Sequence, residues 1–220
     1  MVHATRPIRD FVTGLSTWYI RRSRDRFKAG DKEAIATARY VFREFSKLIA
    51  PVMPFIAEEI YQKVKNIKDV LSVHLEEWPD GGKTDSHVLN NMTQVRNIVS
   101  LALELRQKAN IKVRQPLALL KIKNKDLSDE YLEIIKDELN VKKVTVDESI
   151  SEEVWLDTTL TPELEEEGRV RDAIRSVQEW RKEQGLKPGE VAQYSVSEGE
   201  KEFFAKHSEE IKKATNVEFN

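Results

Sequence analysis

The spacing of apolar residues changes about half-way along the 220-residue chain, and this change limits the folds that are open to it. In the first half, apolar side chains recur at three- and four-residue steps, as they do between Val88 and Ala102. That period is typical of amphipathic helices, whereas the shorter alternating runs of the second half indicate strands. We therefore predict a mainly α protein, with a helical bundle over residues 1–109 followed by a small α+β module over residues 110–220.

Local signals place the helices of the first half. A helix is predicted over Arg6–Lys28 and ends before Gly30, and Asp31 is the predicted N-cap of the next helix. Pro54 is predicted to begin a third helix, because proline is favoured at the first helical position. A long amphipathic helix is predicted over Ser86–Lys108.

The second half combines strands with helices. Residues 111–123 are predicted to be extended, and Pro116 places them at a sheet edge or a bulge. Thr161 is predicted to cap a helix over Pro162–Gln184. The remaining predictions are a helix over Leu127–Leu139, strands over Val141–Val146 and Val191–Val196, a helix over Glu200–Ala214 and a last strand over Val217–Phe219. We detect no internal repeat in the sequence.

Several kinds of site are excluded by the residues that the chain lacks. It has no cysteine, which rules out disulfides, thiolate zinc sites and cysteine nucleophiles. Its four histidines have no metal-ligand spacing on a helix, and its eight glycines form no dinucleotide or P-loop motif. We expect no catalysis, metal or cofactor in these residues. Without a signal peptide or an apolar run of ~18 residues, we expect a cytoplasmic protein with no membrane span.

Charge is distributed unevenly, although the formal net charge is only −2. Residues 1–30 contain seven Lys or Arg and two acidic residues. Residues 147–168 contain nine acidic residues and no Lys or Arg. This asymmetry indicates that one end of the chain faces a polyanion. The acidic run is predicted to provide helix N-terminal charge and solubility.

Four runs of residues carry more specific information. They are Leu15-Ser-Thr-Trp-Tyr-Ile-Arg-Arg-Ser-Arg-Asp-Arg-Phe27, Ala50-Pro-Val-Met-Pro-Phe-Ile-Ala-Glu-Glu-Ile-Tyr61, Ser72-Val-His-Leu-Glu-Glu-Trp-Pro79 and Lys112-Val-Arg-Gln-Pro-Leu117. The second run resembles the proline-bent helix in the anticodon-binding domain of class I aminoacyl-tRNA synthetases generally. The first and last resemble isoleucyl-tRNA synthetases, and the order of the runs matches as well. Residues 137–142, 156–163 and 166–171 also resemble that family, so the resemblance covers nearly the whole chain. It points to the zinc-free branch of the family.

The resemblance implies the anticodon-binding region of an enzyme that uses ATP and Mg²⁺ to join isoleucine to its tRNA. Class I synthetases activate amino acids with a His-x-Gly-His-like motif and a Lys-Met-Ser-Lys-Ser-like loop, and neither occurs in these 220 residues. We therefore expect a non-catalytic piece excised from a longer enzyme. It is expected to bind the anticodon stem and loop of isoleucine tRNA and to be a monomer.

Binding of an RNA hairpin requires cations for phosphates and flat groups for unstacked bases. The predicted tRNA contacts are Arg21, Arg24 and Lys28 on the first helix, Arg39 and Arg43 on the next, and Lys112, Arg114 and Gln115 beside the proline of the extended segment. The alternative for each is a solvated helix face or a protected strand edge. Trp18 and Tyr19 lie on the apolar stripe, which favours core packing over base stacking, and Trp78 is predicted to fill the bundle.

Two other functions remain open from the sequence. The acidic second half is compatible with a protein-interaction module that docks on a synthetase or an assembly partner. The chain is also compatible with the anticodon domain of another class I synthetase, such as the valyl enzyme.

Overall fold

The computed structural model describes residues 2–187 and 189–219, with side chains from residue 5 onward. The chain forms two compact units, Met1–Lys83 and Thr84–Asn220. The sequence placed its boundary after residue 109, whereas the division in the structure falls before the long helix Ser86–Lys108. This helix packs against a later helix and strand of the second unit, which explains where the division falls.

The first unit is helical. Its elements are α1 (Val2–Gly14), a π-helical segment (Leu15–Ile20), α2 (Arg24–Lys28), α3 (Lys32–Ile49), α4 (Pro54–Val64) and a 3-10 turn (Val73–Leu75). The single helix predicted over residues 6–28 is therefore interrupted. A π-helical turn holds more residues than an α-turn, so side chains after Leu15 lose the phase of those before it. Phe11 lies before this interruption; it is 46% exposed, and its ring stacks on that of the core residue Phe45 at 5.3 Å.

Capping residues fix the ends of these helices as predicted. The Asp31 side chain accepts hydrogen bonds from the backbone N–H groups of Glu33 and Ala34, at 3.0 and 3.1 Å, and begins α3. Pro54 occupies the first turn of α4. The core between α3, α4 and the 3-10 turn consists of Phe45, Ile49, Ala57, Tyr61 and Val73.

The second unit begins with a three-stranded sheet. Its first elements are α5 (Ser86–Lys108), β1 (Leu117–Ile122), α6 (Asp129–Leu139), β2 (Val141–Val146) and β3 (Val154–Leu156). The strand order is β2-β1-β3, with β1 parallel to β2 and antiparallel to β3. Of the two positions predicted for Pro116, a sheet edge or a bulge, the edge is wrong, because β1 is central. Pro116 precedes the strand, where its missing N–H interrupts no ladder bond.

The second unit continues with a long helix and a second, smaller sheet. The elements are α7 (Pro162–Glu183), β4 (Ala192–Tyr194), a 3-10 turn (Glu198–Glu200), α8 (Lys201–Lys206), α9 (Ser208–Thr215) and β5 (Val217–Phe219). Strands β4 and β5 pair in parallel. The core between them and α7 consists of Val170, Val177, Phe204, Ile211 and Val217.

The predicted fold class, mainly α with a small α+β module, is confirmed. The sequence did not predict β3, but this short strand does not change the fold class. Among the described residues, we find no helix with the length and apolar character needed to cross a bilayer.

Candidate nucleic-acid interface

The outward face of α3 carries several cations along a concave surface. Lys32, Ala36, Arg39, Tyr40 and Arg43 recur at three- and four-residue steps and therefore share one side of the helix. Tyr40 is 63% exposed, an unusual state for a tyrosine on a packed helix. This face therefore presents a flat aromatic ring among positive side chains.

A groove runs along this face. Its first part, of about 440 Å³, is lined by Lys32, Ile35, Ala36, Arg39, Tyr40, Arg43 and Asn66. It continues into a wider depression of about 720 Å³, lined by Arg39, Lys65, Asn66, Ile67, Lys68 and Asp69. The two parts share Arg39 and Asn66, so we treat them as one surface, the α3 groove. It combines five cations with an exposed aromatic ring and one carboxylate.

The turn after α4 forms the second wall of the α3 groove. The Asp69 carboxylate accepts a hydrogen bond from the Asn66 backbone N–H at 2.7 Å and pairs with the Arg43 guanidinium at 3.4 Å. These contacts lower the pKa of Asp69, the Asn66 bond first and the Arg43 charge next. The closed turn leaves Ile67 and Lys68 exposed at its tip.

Arg43 is therefore an anchor of the groove wall. Its side chain is only 27% exposed, and it also pairs with Glu44 at 3.2 Å. Arg39 is exposed and, within the described part of the chain, makes no ion pair. The two arginines predicted as one row are thus both present in the α3 groove but in different states.

The predicted contacts on the first helical stretch are exposed. The Arg21 Nε donates to the Thr17 carbonyl at 2.7 Å, and Arg24 lies on the surface. Lys28 is 73% exposed and lies 3.9 Å from Asp25, a distance at which an ion pair contributes little. These three side chains are accessible to an RNA backbone.

The predicted contacts around Pro116 are arranged differently. Residues 112–115 form a turn, closed by the Gln115 N–H and the Lys112 carbonyl at 3.0 Å, so the predicted extended alternation is wrong. Lys112 and Arg114 converge on Asp172, at 3.7 and 2.8 Å. The Gln115 amide donates to the carbonyls of Leu164 and Pro116, at 2.6 and 3.2 Å. Gln115 therefore has an internal structural role.

The predictions for the other aromatic residues, Trp18, Tyr19 and Trp78, have different outcomes. Trp18 and Tyr19 are half-buried, and the Tyr19 ring lies 6.4 Å from that of Phe27, as core packing requires. Trp78 is 65% exposed, so the prediction that it fills the bundle is wrong.

The acidic run of residues 147–168 is partly neutralised by internal partners. Glu166 pairs with Lys206 and with His207, and Glu167 pairs with Arg171 at 2.8 Å and with Lys142. These contacts lower the pKa of Glu166, through Lys206 first. Much of the acidic run thus stabilises the second unit. Within residues 2–187 and 189–219 no group of acidic or histidine side chains is arranged to hold a metal ion.

Lys32, Tyr40, Lys65 and Lys68 line the α3 groove but were not among the predicted contacts. A signal was present, since Tyr40 follows Arg39 and lies eight residues after Lys32. The position of the turn after α4, by contrast, depends on the pairing of Arg43 with Asp69, which are 26 residues apart.

Comparison with known proteins gives a consistent result. Residues 3–123 match the family described as the anticodon-binding domain of tRNA ligase. The chain is 36% identical over 214 residues to an isoleucine–tRNA ligase of Clostridium acetobutylicum, and this alignment covers 89% of this chain and 20% of that protein. It is 33% identical over 243 residues to the isoleucine–tRNA ligase of a Dehalococcoides mccartyi strain, covering 96% of this chain and 24% of that protein. The chain thus spans about a fifth of the length of these relatives.

Proposed function

Because this chain belongs to the family of anticodon-binding domains of tRNA ligases, we propose that it binds the anticodon stem and loop of isoleucine tRNA. The observation that carries the proposal is the α3 groove, in which Lys32 and Arg39 line one part together with the exposed ring of Tyr40, and Lys65 and Lys68 line the adjoining part. The isoleucine–tRNA ligases to which the chain is similar support the choice of tRNA.

The α3 groove has the chemistry that a hairpin loop needs. Phosphate oxygens are neutralised by Lys and Arg, which supply most of the affinity for RNA. In the described part of the chain Lys32, Arg39 and Lys68 form no ion pair, so binding RNA disrupts no existing contact of theirs. The Tyr40 ring offers a face on which an unstacked loop base can lie.

The relatives also support a proposal about the whole protein. We propose that these residues serve a cytoplasmic, monomeric isoleucine–tRNA ligase, which uses ATP and Mg²⁺ at a catalytic site outside the 220 residues. The contribution of this chain is then to position the tRNA, and residues of the α3 groove take no part in the chemistry.

The cationic part of the proposal is tested with a fluorescent anticodon stem–loop of isoleucine tRNA. Neutralising about three to five phosphates predicts that log affinity falls with log salt at a slope of about −2 to −5. Reversing Arg39 and Lys68 together to Glu should weaken binding at least tenfold and reduce the slope by about 2. Lys63→Glu is a matched control, since Lys63 is 71% exposed on α4 but lies outside the α3 groove. Equal affinity of the double variant and the control would refute the placement.

The aromatic part is tested at Tyr40. Tyr40→Ala should weaken binding by about 1–3 kcal/mol if one base stacks on the ring, and Tyr40→Phe should keep most of the affinity. If both variants bind as the unmodified protein does, Tyr40 is not a stacking platform.

The choice of isoleucine tRNA needs a separate comparison. A stem–loop carrying the valine anticodon should bind more weakly than the isoleucine stem–loop at equal salt. Stronger binding of the valine stem–loop would instead assign the chain to a valyl enzyme. No salt-sensitive binding of either RNA would favour a protein-interaction module.

A further inference from the structure

The second unit contains the same structural module twice, although no repeat is visible in the amino-acid sequence. The first copy is α5–β1–α6–β2, and the second is α7–β4–α8/α9–β5. Both are helix–strand–helix–strand arrangements with a parallel pair of strands. The repeat lies in the arrangement of the backbone, and few residue types coincide between the two copies.

Buried arginines mark equivalent positions in the two copies. Arg106 in α5 and Arg181 in α7 are 1% and 8% exposed and lie 75 positions apart. Arg106 donates to the Lys112 carbonyl at 3.1 Å, and Arg181 donates to the Lys187 carbonyl at 3.0 Å. Lys112 and Lys187 are again 75 positions apart. Each arginine thus fixes the loop that follows its own helix.

The ends of the helices are equivalent as well. α5 is followed by Asn110 and α7 by Gly185, with φ of 55° and 68°. Both are left-handed residues that end a helix, and they too lie 75 positions apart. The second helix of each copy ends at a left-handed asparagine, Asn140 or Asn216, whose carbonyl accepts from the buried arginine at 3.3 or 2.9 Å.

The strand registers of the two copies are also equivalent. Leu117 pairs with Val141 in the first copy, and Ala192 pairs with Val217 in the second. These positions differ by 75 and 76 residues. The same offsets at helix ends, buried arginines and strand register show one module built twice.

The copies differ at one edge. In the first, β3 lies antiparallel beside β1, where the Asp157 N–H donates to the Leu119 carbonyl at 2.9 Å. The Lys123 N–H donates to the Glu153 carbonyl at 3.0 Å, so alternate residues of β1 face β3. In the second copy, the described residues supply β4 with one neighbour, β5, and its other edge has no strand beside it.

From this difference we propose that the open edge of β4 binds an antiparallel strand of the same kind as β3. The occupant is an extended segment with apolar residues at alternate positions, like Val154-Trp155-Leu156, supplied by polypeptide outside these 220 residues. Relatives contain ample polypeptide for this, because the chain spans 20% of the length of the Clostridium acetobutylicum protein. The first copy shows both the position and the direction of the strand.

The edge also has an apolar surface for such a strand. β3 packs against α5, where Leu105, Val154 and Leu156 line one cavity. Trp180 occupies the position equivalent to Leu105, and its ring lies 5.1 Å from that of Tyr194 in β4. Trp180, Tyr194 and Val196 are all half-buried, so part of their apolar surface is left for an added strand to cover.

Hydrogen exchange of backbone amides tests the proposal without RNA. In the second copy the Ala192 N–H donates to the Asn216 carbonyl at 3.3 Å, so the amides of Gln193 and Ser195 point to the open edge of β4. In the unmodified protein we expect these two amides to exchange at least tenfold faster than those of Lys121 and Lys123, which lie on the side of β1 that faces β3. If they are already protected, whether in a monomer or in a dimer joined through β4, the edge is occupied and the proposal is wrong.

A second variant supplies the strand. A copy of residues 147–158, which contains the natural loop and β3, is appended after residue 220, and the control carries the same residues in scrambled order. The natural order should slow exchange at Gln193 and Ser195 at least tenfold, and the scrambled order should not. Unchanged exchange in a folded protein with the natural order, or equal protection by both, would overturn the proposal.

Discussion

Replacing Arg106 by methionine should strongly destabilise the second unit. The guanidinium is 1% exposed and donates to four backbone carbonyls, those of Lys112, Gln115, Leu139 and Asn140, at 2.6–3.3 Å. No carboxylate is among its hydrogen-bond acceptors, and desolvation lowers the pKa of Arg106 to about 10. The side chain thus ties the loop before β1 to the end of α6 through charge-assisted bonds alone.

The magnitude follows from two opposing contributions. Hydrogen bonds from a charged donor contribute about 1.5–3 kcal/mol each, and desolvation of a buried ion costs several kcal/mol. Methionine keeps the apolar stem but leaves the carbonyls without their donor. We therefore expect the free energy of unfolding of the second unit to fall by about 3–5 kcal/mol.

Native-state hydrogen exchange at the β1 amides measures this loss, because we expect the amides of this central strand to open when the unit unfolds. Arg175→Met is the matched control in α7, since Arg175 is 56% exposed and pairs with Glu179 at 2.7 Å. The control should change the opening free energy by less than about 0.5 kcal/mol. A loss below about 1 kcal/mol for Arg106→Met would refute the role assigned to the buried guanidinium.

Three further substitutions test local contacts. Hydrogen bonds from Ser149 and Lys121 lower the pKa of Asp147 from 3.8 to about 2. The stabilising contribution of Asp147 is therefore complete above about pH 4 and is lost as pH falls towards 2. Asp147→Asn should flatten this part of an acid-denaturation curve. A Cβ at Gly168 would lie 2.1 Å from the Gln115 side chain, so Gly168→Ala should lower the free energy of unfolding of the second unit by about 1–3 kcal/mol. In a Gln115→Ala background the clash is absent, and Gly168→Ala should raise that free energy by up to about 1 kcal/mol. Tyr61→Phe removes hydrogen bonds to Val70 and Glu76 and should cost about 1–3 kcal/mol in thermal or urea unfolding of the first unit; an unchanged midpoint would contradict it.

Elements with strong local signals were predictable from the sequence. The predicted bounds of the helix Ser86–Lys108 and the strand Val141–Val146 are confirmed, as are the caps at Asp31 and Thr161. Each of these depends on residues within one or two turns of the chain. Periodicity and capping therefore sufficed where neighbours in sequence decide the structure.

Features that depend on distant contacts were missed. β3 has only three residues and is a strand because β1 lies beside it, which a short apolar run cannot indicate. The repeat is hidden since few residue types coincide between the copies, Arg106 with Arg181 and Asn140 with Asn216 among them.

The candidate site likewise contains features that were predictable from the sequence and features that were not. The cationic rows were visible in the sequence, because helical spacing alone places Arg39 and Arg43 on one face. Their different states were not visible, since Arg43 is drawn to Asp69 across the groove wall. The internal role of Gln115 likewise depends on Leu164, 49 residues away.

We propose that an RNA hairpin lies in the α3 groove. The decisive measurement is a map of backbone amide shifts during titration with the anticodon stem–loop of isoleucine tRNA. We expect the largest salt-sensitive shifts within residues 32–43 and 65–69. Shifts confined to the second unit, or none at RNA concentrations that saturate binding, would contradict it.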